Sequence, residues 1–213
     1  MKNAVIFDFD GVIVTTDEYH YQAWKRLADE EGIPFDRDVN EFLRGVSRME
    51  SLEIILENTG KTFSAAEKED MCMRKNGYYR GFLDGLSPAD ILPGVREVLR
   101  ELKVRGVRVA IGSSSKNTPV ILEKIGLSGF FGAVADGNMI THSKPDPEVF
   151  LLAAGLMGKA PADCVVVEDA AAGVEAALNA GMRVVGVGSA RHDERAHYRV
   201  PDLSAADVDM ILG

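Results

Sequence analysis

Cysteine is scarce in this chain. Cys72 and Cys164 stand far apart, with no CxxC and no Cys/His ligand spacing, which excludes a disulfide framework and a structural zinc site. Two buried free thiols are expected. Long apolar runs are also missing: none approaches a membrane span, and Ala4-Val5-Ile6-Phe7 meets Asp8 too soon for the hydrophobic region of a signal peptide. A reducing, cytoplasmic setting suits these features. Positive charge is in deficit, with 24 Lys and Arg against 33 Asp and Glu and a formal net charge of −9. Nucleic acid and anionic membranes would be repelled on average, so neither is an expected partner. There is no repeat and no low-complexity tract. What is there, 46% hydrophobic and 27% charged residues in 213, describes a globular chain of one or two domains and excludes general disorder. An acidic protein can still take a phosphorylated metabolite where a metal ion and a few cations reverse the field locally.

Short β-branched runs at Ala4 to Phe7, Val107 to Ile111, near Val134, at Val165 to Val167 and at Val184 to Val187 read as strands buried on both faces. Helical patterns separate the later runs, at Val95 to Lys103, Thr118 to Ile125, Pro147 to Met157 and Ala171 to Ala180, several closed by glycine (Gly106, Gly126, Gly158, Gly181). Alternation of this kind predicts an α/β fold, a parallel sheet with helices on both faces. Between the first strand and the Val107 strand lies a long stretch almost without strand signal, carrying helical segments around Glu18 to Glu31, Glu50 to Asn58 and Ala65 to Phe82. It is too long for one crossover and reads as an inserted helical domain. The expected division is 1–14 and 93–213 for the core and 15–92 for the insertion.

Open parallel sheets bind ligands beyond the carboxyl ends of their strands. Those ends here carry Asp8-Phe9-Asp10-Gly11, then Gly112-Ser113-Ser114-Ser115-Lys116-Asn117, then Ser143-Lys144-Pro145, then Glu168-Asp169. Asp8 and Asp10 would share a face of a continuing strand, and Glu168 and Asp169 add acid from another strand. Oxygen ligands without His or Cys describe a hard-cation site, Mg²⁺ rather than zinc; solvated strand-end acids are the plainer alternative. Ser113 and a helix beginning near Asn117 could meet a phosphate, although Ser-Ser-Ser alone is usually just a loop. Lys144, kept out of a helix by Pro145, would otherwise be an ordinary surface lysine. Together, a metal, a serine and a lysine would neutralise a transferring phosphoryl group and leave an aspartate as nucleophile. In the insertion, His20 and Trp24 share a helix face, a pattern that more often marks a satisfied half-buried histidine. Arg44-Gly45-Val46-Ser47-Arg48 reads equally as an anion clamp or a solvated turn.

Phe7-Asp8-Phe9-Asp10-Gly11-Val12, Gly112-Ser113-Ser114, Lys144-Pro145 and Glu168-Asp169, in this order, resemble the four motifs of the haloacid dehalogenase superfamily of phosphotransferases. Asp10-Gly11-Val12-Ile13 with Thr16, Glu18-Tyr19-His20, Ala23-Trp24, Gly45-Val46-Ser47-Arg48, Ser87-Pro88-Ala89-Asp90 and Ser115-Lys116-Asn117 are similar to its β-phosphoglucomutase branch. The resemblance spans essentially the whole chain. It implies a Rossmann-like core with an inserted α-helical cap, one Mg²⁺ ion, and conversion of β-D-glucose 1-phosphate to glucose 6-phosphate through an aspartyl-phosphate and glucose 1,6-bisphosphate. Asp8 matches the nucleophile and Asp10 the general acid/base. Asp8, the main-chain carbonyl of Asp10, and Asp169 match the metal ligands, with Glu168 beside them. Ser113, Ser114 and Lys144 match the transferring-phosphate contacts. Arg48, with Gly45, Val46 and Ser47, matches the cap grip on the distal phosphate, and Ser115, Lys116 and Asn117 face the sugar or that phosphate. Thr16, His20, Trp24 and Lys75 match hinge and cap-closure positions. Phe9 and Thr15 depart from the common leucine and aspartate without removing a catalytic group. A monomer acting on a small sugar phosphate is expected. The competing readings are a phosphatase with the same aspartyl-phosphate and, more remotely, a non-catalytic phospho-acceptor or binding module.

Overall fold

The structure, a computed structural model, describes residues 2–57 and 59–213. Met1 and Asn58, which bound the expected ranges 1–14 and Glu50 to Asn58, lie outside the described residues. Six strands, β1 (Ala4–Phe7), β2 (Arg108–Gly112), β3 (Ala133–Ala135), β4 (Cys164–Glu168), β5 (Arg183–Gly186) and β6 (Tyr198–Arg199), form one sheet in the order β3-β2-β1-β4-β5-β6. Every pairing is parallel. Alternation along β1 divides the core. Val5 and Phe7 join Val109, Ile111, Val165 and Val167 on one face, under α5 (Val95–Val104), α6 (Thr118–Lys124) and α9 (Val208–Leu212). Ala4 and Ile6 join Ala110 and Val166 on the other, under α7 (Glu148–Leu156) and α8 (Ala171–Asn179). A strand buried on both faces can spare no polar position, which explains its unbroken apolar run.

The insertion between β1 and β2 carries α1 (Asp17–Glu31), α2 (Arg37–Glu41), α3 (Arg48–Leu56) and α4 (Ala65–Phe82). These helices bury a core of their own around Trp24, Leu27, Phe35, Leu52, Ile55 and Met71. Leu52 is fully buried, so truncation to alanine there should cost about 2–5 kcal/mol. α1 stops at Gly32, whose left-handed backbone (φ 59°) lets its N–H reach the carbonyls of Ala28 and Asp29. α3 starts two residues earlier than the sequence pattern suggests, because Ser47 and Glu50 cap it reciprocally. The exposed α2 and the two-residue β6 have no apolar periodicity to announce them. The insertion leaves and re-enters the core at one place. Val14 bridges Asp10 on one side and Ile91 on the other, and Leu92 N–H donates to the Ile13 carbonyl at 3.0 Å. No helix among the described residues is long and apolar enough to cross a membrane.

Candidate active site

Asp8 continues β1 by one residue, its N–H donating to the Val167 carbonyl at 2.9 Å. Beside it, β4 ends at Glu168 and the chain turns at Asp169. One carboxylate oxygen from each of the buried Asp8, Glu168 and Asp169 lies within 4.8 Å of the others. Lys144, 1% exposed, places its Nζ 2.5 Å from Asp8 Oδ1 and 2.5 Å from Glu168 Oε1. Two glycines make room. A side chain at Gly11 (φ 90°) would collide with the Asp169 carboxylate, and one at Gly173 with that of Glu168.

One lysine cannot compensate three buried acids. Burial pushes Asp8 up to about 7, Lys144 pulls it back, and Glu168 adds to the rise. Asp169 is held well above the usual carboxylate range by burial, then by Glu168 and Asp8. Burial works against the Lys144 ammonium, yet Asp8 and Glu168 more than offset it and keep its pKa above the ordinary lysine value. An all-oxygen, buried, over-anionic set fits a hard divalent cation.

Asp10 lines the same cavity as Asp8, but its carboxylate stays out of the cluster formed by Asp8, Glu168 and Asp169. The Thr16 N–H donates to Asp10 Oδ1 at 2.7 Å, and Thr16 Oγ1 lies 2.5 Å from Oδ2. That hydroxyl is thereby unavailable to cap α1. The Tyr79 hydroxyl lies 2.8 Å behind it, and His20 Nε2 lies 3.6 Å from Asp10 Oδ2. Burial pushes Asp10 up to about 6, Asp17 adds to the rise, and the Thr16 bonds oppose it. His20 Nδ1 pairs with Lys75 Nζ at 2.7 Å; with the lysine as donor, the imidazole proton would sit on Nε2, facing Asp10. Burial, then Lys75 and Arg48, hold His20 well below its ordinary pKa.

A cavity of about 340 Å³ lies between sheet and insertion, lined on the core side by Asp8, Asp10, Ser113 to Asn117, Lys144 and Asp169, and on the cap side by His20, Trp24, Gly45 to Arg48 and Lys75. Thr16 and Glu168 are not on this wall; they stand behind it, bonded to Asp10 and Lys144. In the serine loop, Ser113 Oγ accepts from Ser115 N–H at 3.1 Å and Ser115 Oγ from Asn117 N–H at 3.2 Å. Asn117 Nδ2 crosses to Asn76 Oδ1 on α4 at 3.0 Å. The two arginines of the turn diverge. Arg44 pairs with Asp17 at 2.6 Å and reaches Asp169 at 3.6 Å, whereas no carboxylate pairs with Arg48 among the described residues. The anion-clamp reading therefore narrows to Arg48. Sequence reasoning misses Tyr79, Asn76 and Glu50, which belong to ordinary helical patterns and acquire their distant partners only through folding, and Ser51, which lines the cavity.

The sequence pattern of the haloacid dehalogenase-like hydrolases matches residues 2–181. The chain is 46% identical over 187 residues to the beta-phosphoglucomutase of Bacillus subtilis (strain 168), covering 87% of this chain and 83% of that one. It is 32% identical over 212 residues to the phosphorylated carbohydrates phosphatase of Thermotoga maritima, covering 98% and 96%. Among solved structures, the beta-phosphoglucomutase of Clostridium difficile superposes with a TM-score of 0.94 at 40% identity, over 99% of this chain and 96% of that one.

Proposed function

The chain belongs to the haloacid dehalogenase-like hydrolase family, and from that premise we propose that it isomerises β-D-glucose 1-phosphate to glucose 6-phosphate through an aspartyl-phosphate and a glucose 1,6-bisphosphate intermediate. The observation that carries this reading is a cavity with a cationic side chain at each end: Lys144 beside Asp8 on the core, and on the cap the guanidinium of Arg48, which pairs with no carboxylate among the described residues. A mutase must hold a second phosphate; a simple hydrolase need not. The named activity of the Bacillus subtilis relative supports the same choice.

Asp8 is the nucleophile, its carboxylate aimed at phosphorus and steadied by Lys144. Lys144 and Ser113 bind the transferring oxygens, and Ser114, whose buried hydroxyl has no partner among the described residues, supplies another donor. Asp10, held by Thr16 and raised toward neutrality, protonates the leaving sugar oxygen and deprotonates the attacking hydroxyl in the return step. Asp8, Asp169 and the Asp10 main-chain carbonyl would hold one Mg²⁺, with Glu168 alongside; when bound, the ion supplies positive charge against the phosphoryl oxygens. Arg48, Lys116 and Asn117 hold the distal phosphate or sugar while the bisphosphate turns end for end. Residues 15–92 act as the cap against a core of 1–14 and 93–213. A single chain supplies both walls of the cavity, which supports a monomer, and the free thiols of Cys72 and Cys164 suit the cytoplasm.

The Thermotoga maritima relative favours one other reading, a sugar-phosphate phosphatase using the same aspartyl-phosphate. A coupled assay decides between them. β-Glucose 1-phosphate with Mg²⁺ and a trace of bisphosphate should yield glucose 6-phosphate without inorganic phosphate; steady release of inorganic phosphate instead would establish the phosphatase.

A further inference from the structure

Arg44 is a cap residue whose guanidinium reaches into the core. Its Nη2 lies 2.6 Å from Asp17 Oδ2, its Nε 3.2 Å from Glu41 Oε2 and its Nη1 3.6 Å from Asp169 Oδ2. Asp17 and Glu41 belong to α1 and α2, so those two contacts hold the cap to itself. The third does not. It sets a cap cation on the one acid of the buried trio that Lys144 leaves uncompensated.

We infer that Arg44 is a positioning residue that competes with the divalent cation for the Asp169 carboxylate, so that the cap sets how tightly the metal is held. The inference rests on the reading of Asp8, Glu168 and Asp169 as the metal site. Asp169 cannot easily retreat from the contest. Its carbonyl accepts from Ser189 Oγ at 2.5 Å and from Ala190 N–H at 2.9 Å, and on the Gly11 side its carboxylate fits against the chain because that residue has no side chain. Arg44, by contrast, can withdraw without stranding a charge, because Asp17 and Glu41 remain as partners. A second cavity, on the hinge side, is lined by Arg44 and Asp169 together with Asp17, Ser189 and Asp202. Water there would solvate the displaced guanidinium. A purely structural bridge within the cap would need Asp17 and Glu41 but not Asp169.

Competition is reciprocal: a cation that displaces Arg44 must also loosen the cap's hold at that point, by the same factor. The test is calorimetric titration of Mg²⁺ into substrate-free parent, Arg44→Met and Arg44→Lys proteins, with hydrogen exchange of the α2 amides followed with and without the ion. Removing a unit charge a few ångströms from a partly solvated site should tighten Mg²⁺ binding about tenfold in Arg44→Met. Arg44→Lys keeps a cap cation beside Asp17 with a shorter reach and should fall between the two; it answers the question alone if the methionine variant melts early. Mg²⁺ should speed α2 exchange in the parent and not in Arg44→Met. Equal or weaker Mg²⁺ binding in both variants would overturn the inference and make Arg44 a support for the site. A parent that takes up no Mg²⁺ would instead overturn the metal reading itself.

Discussion

Ser143 of the core donates its hydroxyl to Glu50 of the cap. The same carboxylate oxygen, Oε2, accepts the main-chain N–H of Ser47 at 2.9 Å. Ser143 immediately precedes Lys144 and Ser47 immediately precedes Arg48, so one side chain ties the loop of the buried lysine to the turn of the cap guanidinium. The two ends of the cavity are coupled by it.

Ser143→Ala should cut this tie and leave the α3 cap intact, since Ser47 and Glu50 still satisfy each other. A hydrogen bond to a charged acceptor is worth about 1.5–3 kcal/mol, so KM for the sugar phosphate should rise on the order of tenfold while kcat at saturation stays near the parent value. Steady-state kinetics read this split. An unchanged KM would mean that the bond does not hold the cap.

Glu50 also makes the tie sensitive to acid. Burial favours its neutral form, but the bonds from Ser143 and Ser47 more than offset burial and hold its pKa below the ordinary 4.5. The stabilisation is therefore complete above that ordinary value and lost as pH falls through the lower folded one. Thermal midpoints of the parent and Glu50→Gln should differ at neutral pH and converge in acid. A gap that stays constant down to about pH 3 would remove Glu50 from the account.

Asp8→Asn should abolish turnover and leave the protein folded, because an amide cannot attack phosphorus. Asp10→Asn should retain affinity and lose about two to four orders of magnitude in rate, the usual worth of a positioned acid/base. Trapping the phosphoryl group by mass spectrometry locates the nucleophile, and an adduct elsewhere in active protein would reassign it.

Arg48→Ala separates the two ends of the cavity. The mutase reaction should fall severely, while phosphorylation of Asp8 by acetyl phosphate, which has no second phosphate, should change little. Arg48→Lys should rescue only in part, since a lysine offers a point charge where a guanidinium offers two parallel hydrogen bonds. Equal loss of both reactions would make Arg48 a closure element; loss of neither would move the distal grip elsewhere.

Much of this architecture is legible residue by residue. The pattern from Ala65 to Phe82 predicts α4 with both bounds as observed, because Ser64 and Glu67 form a local capping box and the helix is long. The strand-end acids are legible because a parallel sheet gathers the ends of its strands on one rim. Contacts that join distant segments leave no such trace. Ser143 and Glu50 are 93 residues apart, and Tyr79 reaches Thr16 across 63; each looks unremarkable in its own helix or loop. Asp10 is legible only in part: its two-residue spacing from Asp8 puts both on one cavity, but nothing in the sequence pattern announces that Thr16 claims its carboxylate.

The pairing of Val14 with Ile91 bears on how such a protein could be rebuilt. The inserted helices begin and end beside each other, outside the sheet, and bury an apolar interior of their own. Ala23, Tyr79, Leu83 and Leu86 of the insertion also pack into the core under the sheet, so a replacement unit would have to supply apolar side chains there. Another helical unit with closely spaced ends could be grafted at this junction, replacing the Arg48 grip while Asp8, Lys144 and Asp169 stay in register. The phosphoryl-transfer groups lie mainly at the strand ends and the grip on the recipient mainly in the insertion, so selection or design could change the second, provided the new unit keeps the contacts that Thr16 makes with Asp10 and Arg44 with Asp169.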